Sequence, residues 1–454
     1  MKFAALFLLI SYSAFGAADQ DKLPASFSIN NSRAVFADFH KATYNITYDV
    51  SAKSAFAVAL IELKSLESGH LIFDSLTEPT SITLDGQKTT ATLTKTPNNE
   101  TSVRVIDLEA SAGLHTLKIE LPLTNMLNFT DSGVHHGMWF GDLEDRAYME
   151  RFLPSKFIFD RVPVIYNIHF VGANEQILYS NGKVTKLSPT DYRVEFSQDY
   201  NFTCQYFHTV PKGTSVETRF TFKSIDGRDV PVVIYRMEDG TDQSAYLEDL
   251  KVKTLSIVEE LEKDYGAWPH EDLTIYITAS PTGGMEYSGA TITSEKALGH
   301  ELFHSYFARG VMPSDGNSGW IDEALARWRD NGYQSLTLLD GSSSMGNHGV
   351  YNRVTDRLAY SFGERFMALL DGTFTDKGGL KPFLREMIQS KTFDPLSNDD
   401  FMTLMNSFYG VRTNALFGRY ILGESSQKKL ITPPRRLKND VHGQWTLKEL
   451  KSFL

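Results

Sequence analysis

The hydrophobic pattern of this 454-residue chain changes period near residue 225, and that change sets what the chain can fold into. From about residue 24 to 225, apolar and polar residues alternate in short runs such as Thr116-Leu117-Lys118-Ile119-Glu120-Leu121 and Arg219-Phe220-Thr221-Phe222, split by Gly, Asn, Asp and Pro. A period of two places one side of each strand in a core, so this half reads as β-rich. A turn-rich break follows at Ser224-Ile225-Asp226-Gly227-Arg228-Asp229, then one more strand from Val230 to Tyr235. Beyond it Leu247, Leu250, Ile257, Val258, Leu261 and Tyr265 recur at helical spacing and stop at Gly266, with Pro269 just after.

Leu273-Thr274-Ile275-Tyr276-Ile277 reads as a strand, Thr282-Gly283-Gly284 as a turn, and Glu295 to Arg309 as an amphipathic helix closed by Gly310. Further helices are expected over about 319–332, 352–371, 379–390 and 398–422. The fold class expected is α+β and multidomain: an N-terminal β-rich domain over 19–225 and a mainly helical domain over 226–425. A C-terminal tail over 426–454 follows, with a short last helix that Thr446 and Glu449 could cap.

Residues 1–18 carry Met1-Lys2, an apolar run from Phe3 to Ile10 and Ala14-Phe15-Gly16-Ala17-Ala18, the order of charge, apolar core and small residues of a signal peptide. Export to a periplasm or the exterior is therefore expected, with no integral membrane segment after cleavage, because no later run is long and apolar enough to cross a bilayer. The single cysteine, Cys204, cannot form an internal disulfide, so the exported chain must be held by its core and by metal. A formal charge of -11 argues against nucleic acid as a partner, which rewards clustered Lys and Arg. Nothing in the sequence fixes an oligomeric state.

The most chemically specific string is His300-Glu301-Leu302-Phe303-His304. Residues four apart share a helix face, so the two imidazoles converge on one point, as two ligands of a tetrahedral zinc must. Glu301, offset by one residue, falls beside that point, where its carboxylate can take a proton from an attacking water. Two imidazoles hold an ion loosely. Glu323, with eighteen residues between it and His304, begins a second helix in Ser318-Gly319-Trp320-Ile321-Asp322-Glu323-Ala324-Leu325-Ala326 and supplies a third ligand to a single zinc ion. Two His, one Glu and a second carboxylate as base leave a coordination place open, unlike the closed Cys-rich shells of structural zinc sites.

This spacing resembles the gluzincin metallopeptidases, in particular the aminopeptidase N family. That family carries a Gly-Ala-Met-Glu-Asn segment before its zinc helix, and Gly283-Gly284-Met285-Glu286-Tyr287 stands in the same place, with Glu286 fourteen residues upstream of His300. The resemblance implies that Glu286 binds the free amino group of a peptide and that Gly283, Gly284 and Met285 meet the substrate backbone along an edge strand. Tyr287 stands where the family has Asn. Tyr360, in Ala359-Tyr360-Ser361-Phe362-Gly363, resembles the family tyrosine that supports the oxyanion, with Phe362 in place of a lysine and Tyr351 as the alternative. The segment around Asp145-Arg146 resembles the N-terminal-domain segment that reaches the substrate amine, which makes Glu144 the candidate for a second amine contact. The fold implied is a saddle-like antiparallel sheet followed by a thermolysin-like peptidase domain, as a short form without the family's large C-terminal helical domain.

The expected activity is hydrolysis of the N-terminal residue of peptides by a zinc-activated water, with Glu301 and Tyr360 catalytic. Two alternatives stay open: an endopeptidase on the same machinery, since Tyr287 departs from the family, or a non-catalytic relative that only binds peptides.

Overall fold

The computed structural model describes residues 23–424 apart from 30, 132, 158, 281 and 282; the expected signal peptide, the tail after 425 and Thr282 lie outside the described residues. The N-terminal half forms three sheets. The largest has eight strands, in the order Lys183–Lys186, Asp191–Glu195, Val164–Val171, Asp38–Asp49, Ser54–Ser65, Gly113–Pro122, Ser81–Leu84 and Gln87–Thr89. Its pairings are antiparallel except that of Asp38–Asp49 with Val164–Val171. Alternation appears here as register: Tyr44, Ile46 and Tyr48 face Ala59, Ala57 and Ala55 across the longest pair. Large side chains opposite small ones fill one layer without voids, and all six are buried.

A five-stranded sheet then links the two halves, in the order Ser215–Lys223, Asp229–Met237, Leu273–Ile277, Ala290–Thr293 and Gly284–Tyr287. It begins at Ser215, so it spans the sequence break expected at 225/226. Both faces are covered. Val233, Tyr235 and Tyr276 join the core of the N-terminal half, whereas Val232, Ile234, Ile275 and Ile277 join the core under the helices. This two-sided burial explains why Val230 to Tyr235 and Leu273 to Ile277 are nearly continuous apolar runs. The last strand, Gly284–Tyr287, pairs antiparallel with Ala290–Thr293 and forms the sheet edge.

Seven α-helices follow among the described residues: α1 Ser244–Tyr265, α2 Leu298–Phe303, α3 Trp320–Asp330, α4 Phe362–Thr373, α5 Lys381–Lys391, α6 Asn398–Tyr409 and α7 Asn414–Tyr420. Three differ from the sequence expectation. The helix expected over 295–309 is regular only in α2; beyond it Arg309 N–H reaches back to His304 O at 3.0 Å and Ala308 adopts φ 139°. The span 352–371 opens as a loop and a 3₁₀ turn, Arg357–Tyr360, capped by the Asp356 carboxylate, before α4 begins. The span 398–422 is two helices, broken where Gly410 takes the left-handed conformation at φ 67°. Gly363 lets α4 approach α3, because a Cβ there would lie 2.8 Å from that of Ala324.

Candidate metal centre and active-site cleft

A cleft of about 970 Å³ opens between α1, α2, α3, the edge strand Gly284–Tyr287 and the loop around Asp142. At its floor, one ligand atom from each of His300, His304 and Glu323 lies within 4.8 Å of the others. The histidines come from α2 and its C-cap, one helical turn apart, with Nε2 atoms 3.1 Å from each other. Glu323, on the first turn of α3, sets Oε2 at 3.3 Å from His300 Nε2 and 3.6 Å from His304 Nε2. That oxygen is buried and has no hydrogen-bond partner. A buried carboxylate oxygen without a donor, facing two imidazole nitrogens, fits a cation-binding site.

The charges agree. Burial opposes a proton on His300, yet the neighbouring carboxylates of Asp330 and Glu323 hold its pKa up at about 9. His304 is likewise pushed up, against burial, by the carboxylates of Glu286 and Glu323. Burial would raise Glu323, but the two histidines drive it far below the usual carboxylate range. The three side chains thus gather positive charge between them, and a metal dication would displace those protons.

Each histidine is also held from behind. His300 Nδ1 lies 2.7 Å from Asp330 Oδ2, and His304 Nδ1 lies 3.0 Å from Phe307 O. Such outer contacts fix the ring orientation and leave Nε2 for a ligand role. Tyr360 donates to Glu323 Oε1 at 2.5 Å. Burial and the neighbouring Glu323 keep the Tyr360 phenol protonated. Tyr351 lies elsewhere, in the aromatic cluster of Phe27, Phe36 and Phe157, donating to Ala25 O at 2.7 Å.

Glu301 is buried beside the two histidines, and burial, opposed by the histidines and reinforced by Glu286, pushes its pKa up to about 8. Gly284 is dictated by that side chain: a Cβ at 284 would stand 2.4 Å from Glu301 Oε1. Gly283 needs its own glycine for a different reason, a φ of 84°. Both line the cleft with Met285 and Glu286. Glu286 is not a free carboxylate, since Arg309 Nη2 holds its Oε1 at 2.9 Å while Arg309 Nε donates to Glu286 O. Arg309 reaches Glu286 because the chain turns off the α2 axis after His304.

Glu144 lines the cleft but is exposed at its rim. Asp142, two residues earlier, stands deeper: burial, then the Glu323 and Glu286 carboxylates, push its pKa up to about 7. The Asp142 loop is tied to the edge strand by Phe140 N–H, which donates to the Tyr287 hydroxyl at 3.1 Å, and to the segment ahead of the 3₁₀ turn by Thr355 N–H, which donates to Asp142 O. Tyr287 therefore has a positioning contact where an Asn would be too short. Asp330 was legible in principle, seven residues after Glu323 and so on the same face of α3. Asp142 and Arg309 carry no such spacing signal.

No protein-family model and no curated protein matches the chain in sequence. Solved structures do match in fold. An M1 zinc metallopeptidase from Deinococcus radiodurans superposes with TM-score 0.56 at 14% identity, covering 82% of this chain and 90% of that one. A mutant of that enzyme bound to a Tyr-Ser-Ala substrate gives 0.57 at 14%, with 83% and 92% covered. Leukotriene A4 hydrolase from Saccharomyces cerevisiae gives 0.60 at 15%, with 88% and 69% covered. At these identities the likeness establishes architecture: the chain has the fold of M1 zinc metallopeptidases, a β-rich N-terminal domain followed by a helical one.

Proposed function

We propose that this chain is a zinc-dependent exported aminopeptidase, which binds one zinc ion through His300, His304 and Glu323 and removes the N-terminal residue of peptides. The observation that carries the reading is the buried, partnerless Glu323 Oε2 facing two imidazole nitrogens, with a second buried carboxylate, Glu301, beside them. The ion, when bound, supplies Lewis acidity toward a carbonyl oxygen and lowers the pKa of water. Glu301, buried beside the two histidines, then takes the proton of the attacking water and returns it to the departing amine. Tyr360 can only donate while its phenol stays protonated, and in the reaction its hydroxyl turns from Glu323 to the oxyanion.

The edge strand Gly284–Tyr287 offers backbone groups to a substrate bound as an added strand. Glu286, oriented by Arg309, and Asp142 form an acidic end for the substrate's ammonium group, and Asp142 is better buried for that task than Glu144. The leader-like residues 1–18 support export.

Purified protein with amino-acid amides and short peptides tests the reading. Glu301→Gln is expected to lower turnover by roughly 10²–10⁴ while zinc stays bound. Equal turnover in both proteins overturns the catalytic assignment. N-acetylated peptides cleaved as fast as free ones would leave a peptidase but remove the aminopeptidase reading.

A further inference from the structure

The cleft is polarised along its length, and the metal cluster divides it. Asp142 and Glu286 line the cleft together, and Glu286 lies on the His304 side: Arg309, which holds its Oε1 at 2.9 Å, donates its backbone N–H to His304 O at 3.0 Å. The His300 ring faces Asp330 instead, with Nδ1 2.7 Å from Oδ2. Side-chain exposure divides the same way, 1% for His304 and 15% for His300. One half of the cleft is thus a buried acidic end. The other half, beyond His300, is open.

That open half is basic in a chain whose formal charge is -11. Lys253, Lys296, Arg327 and Arg329 line it, against the carboxylates of Glu260 and Asp330. Two of the cations are committed: Arg329 holds Glu260 at 2.8 Å, and Lys253 donates to Glu295 O at 2.8 Å. The other two are not. Lys296, one turn before His300, is exposed and makes no ion pair among the described residues. Arg327, one turn beyond Glu323 on α3, has a 39% exposed side chain and meets Asp330 and Glu364 only at 3.9 Å. Asp330 is itself engaged at 2.7 Å with His300. Two cations, one in the turn before α2 and one on α3, therefore face one cavity without a close partner.

The geometry points to Lys296 and Arg327 as a specificity site that favours peptides carrying a carboxylate on the leaving side of the cleaved bond. The inference rests on the aminopeptidase reading above, which places the substrate amine at Glu286 and Asp142 and so sends the remaining residues past His300. A carboxylate there comes from an acidic side chain or from the C-terminus of a short peptide; both present the same anion to the same two cations.

Three peptides separate the sources: Ala-Ala-Ala-amide, Ala-Ala-Ala with a free C-terminus, and Ala-Asp-Ala-amide. The zinc-loaded protein is expected to cleave at least one anionic peptide with kcat/KM about tenfold above the neutral one, chiefly through KM, and the advantage is expected to shrink as salt rises from about 0.02 to 0.5 M. Lys296→Ala and Arg327→Gln should each lower that ratio, and Arg327→Glu should turn it in favour of Ala-Lys-Ala-amide. An inverted preference cannot come from a variant that merely fails to fold. Equal kcat/KM for neutral and anionic peptides in the native protein overturns the specificity site while leaving the peptidase reading standing. Absence of cleavage of all three peptides overturns both.

Discussion

At the scale of single residues, the centre works through side chains that touch it from behind as much as through the three that face it. Asp330 receives His300 Nδ1 at 2.7 Å and fixes which nitrogen is left for a metal. Replacing Asp330 by Asn keeps the size but removes the charge that favours the correct ring orientation. Zinc affinity, measured by competition with a chromophoric chelator, is expected to fall roughly 10–100-fold, with the fold intact by circular dichroism. Unchanged affinity would mean that the α2–α3 packing alone orients His300. Gly284 is constrained from the front, where Glu301 occupies the space a methyl group would need.

At the scale of elements, legibility followed local periodicity. His300 and His304 are one turn apart in any helix, so their convergence could be read from spacing, and Glu323 from its place at the start of the next helix. The apolar runs at Val230 to Tyr235 and Leu273 to Ile277 marked strands covered on both faces. What could not be read depends on contacts between distant segments. Beyond α2 the chain turns through Ala308 at φ 139°, a conformation no alanine announces, and that bend delivers Arg309 to Glu286. The break at Gly410 lay inside a periodicity that resumes with Leu416 and Phe417, so a helix stop was masked. Asp142 enters the cleft on a loop whose position depends on Tyr287, far along the chain.

At the scale of the whole molecule, the halves are joined by buried polar contacts as well as by the shared sheet. Arg353, ahead of the Tyr360 turn, pairs with Asp74 and with Glu150 at 2.9 Å in the N-terminal half. Buried histidines make the N-terminal core and the seam acid-sensitive. Burial pushes the pKa of His136 and His208 down to about 3 and that of His270 to about 4. Their unfolded value is near 6.5, so the stability they contribute is present above that pH and is lost as pH falls toward their folded values. At pH 5 each costs about 2 kcal/mol. Denaturant midpoints are therefore expected to fall from pH 7 to pH 5, less steeply in His208→Gln than in the native protein. Identical slopes would show that His208 is already charged in the folded state.

The proposed single zinc ion between α2 and α3 is tested most directly by zinc content per chain after exhaustive dialysis against metal-free buffer. One zinc per chain is expected in the native protein and in Glu301→Gln, with zinc lost from His304→Ala and Glu323→Ala. A native protein reconstituted with zinc that retains none, or one whose zinc survives the loss of His304 and of Glu323, contradicts the account.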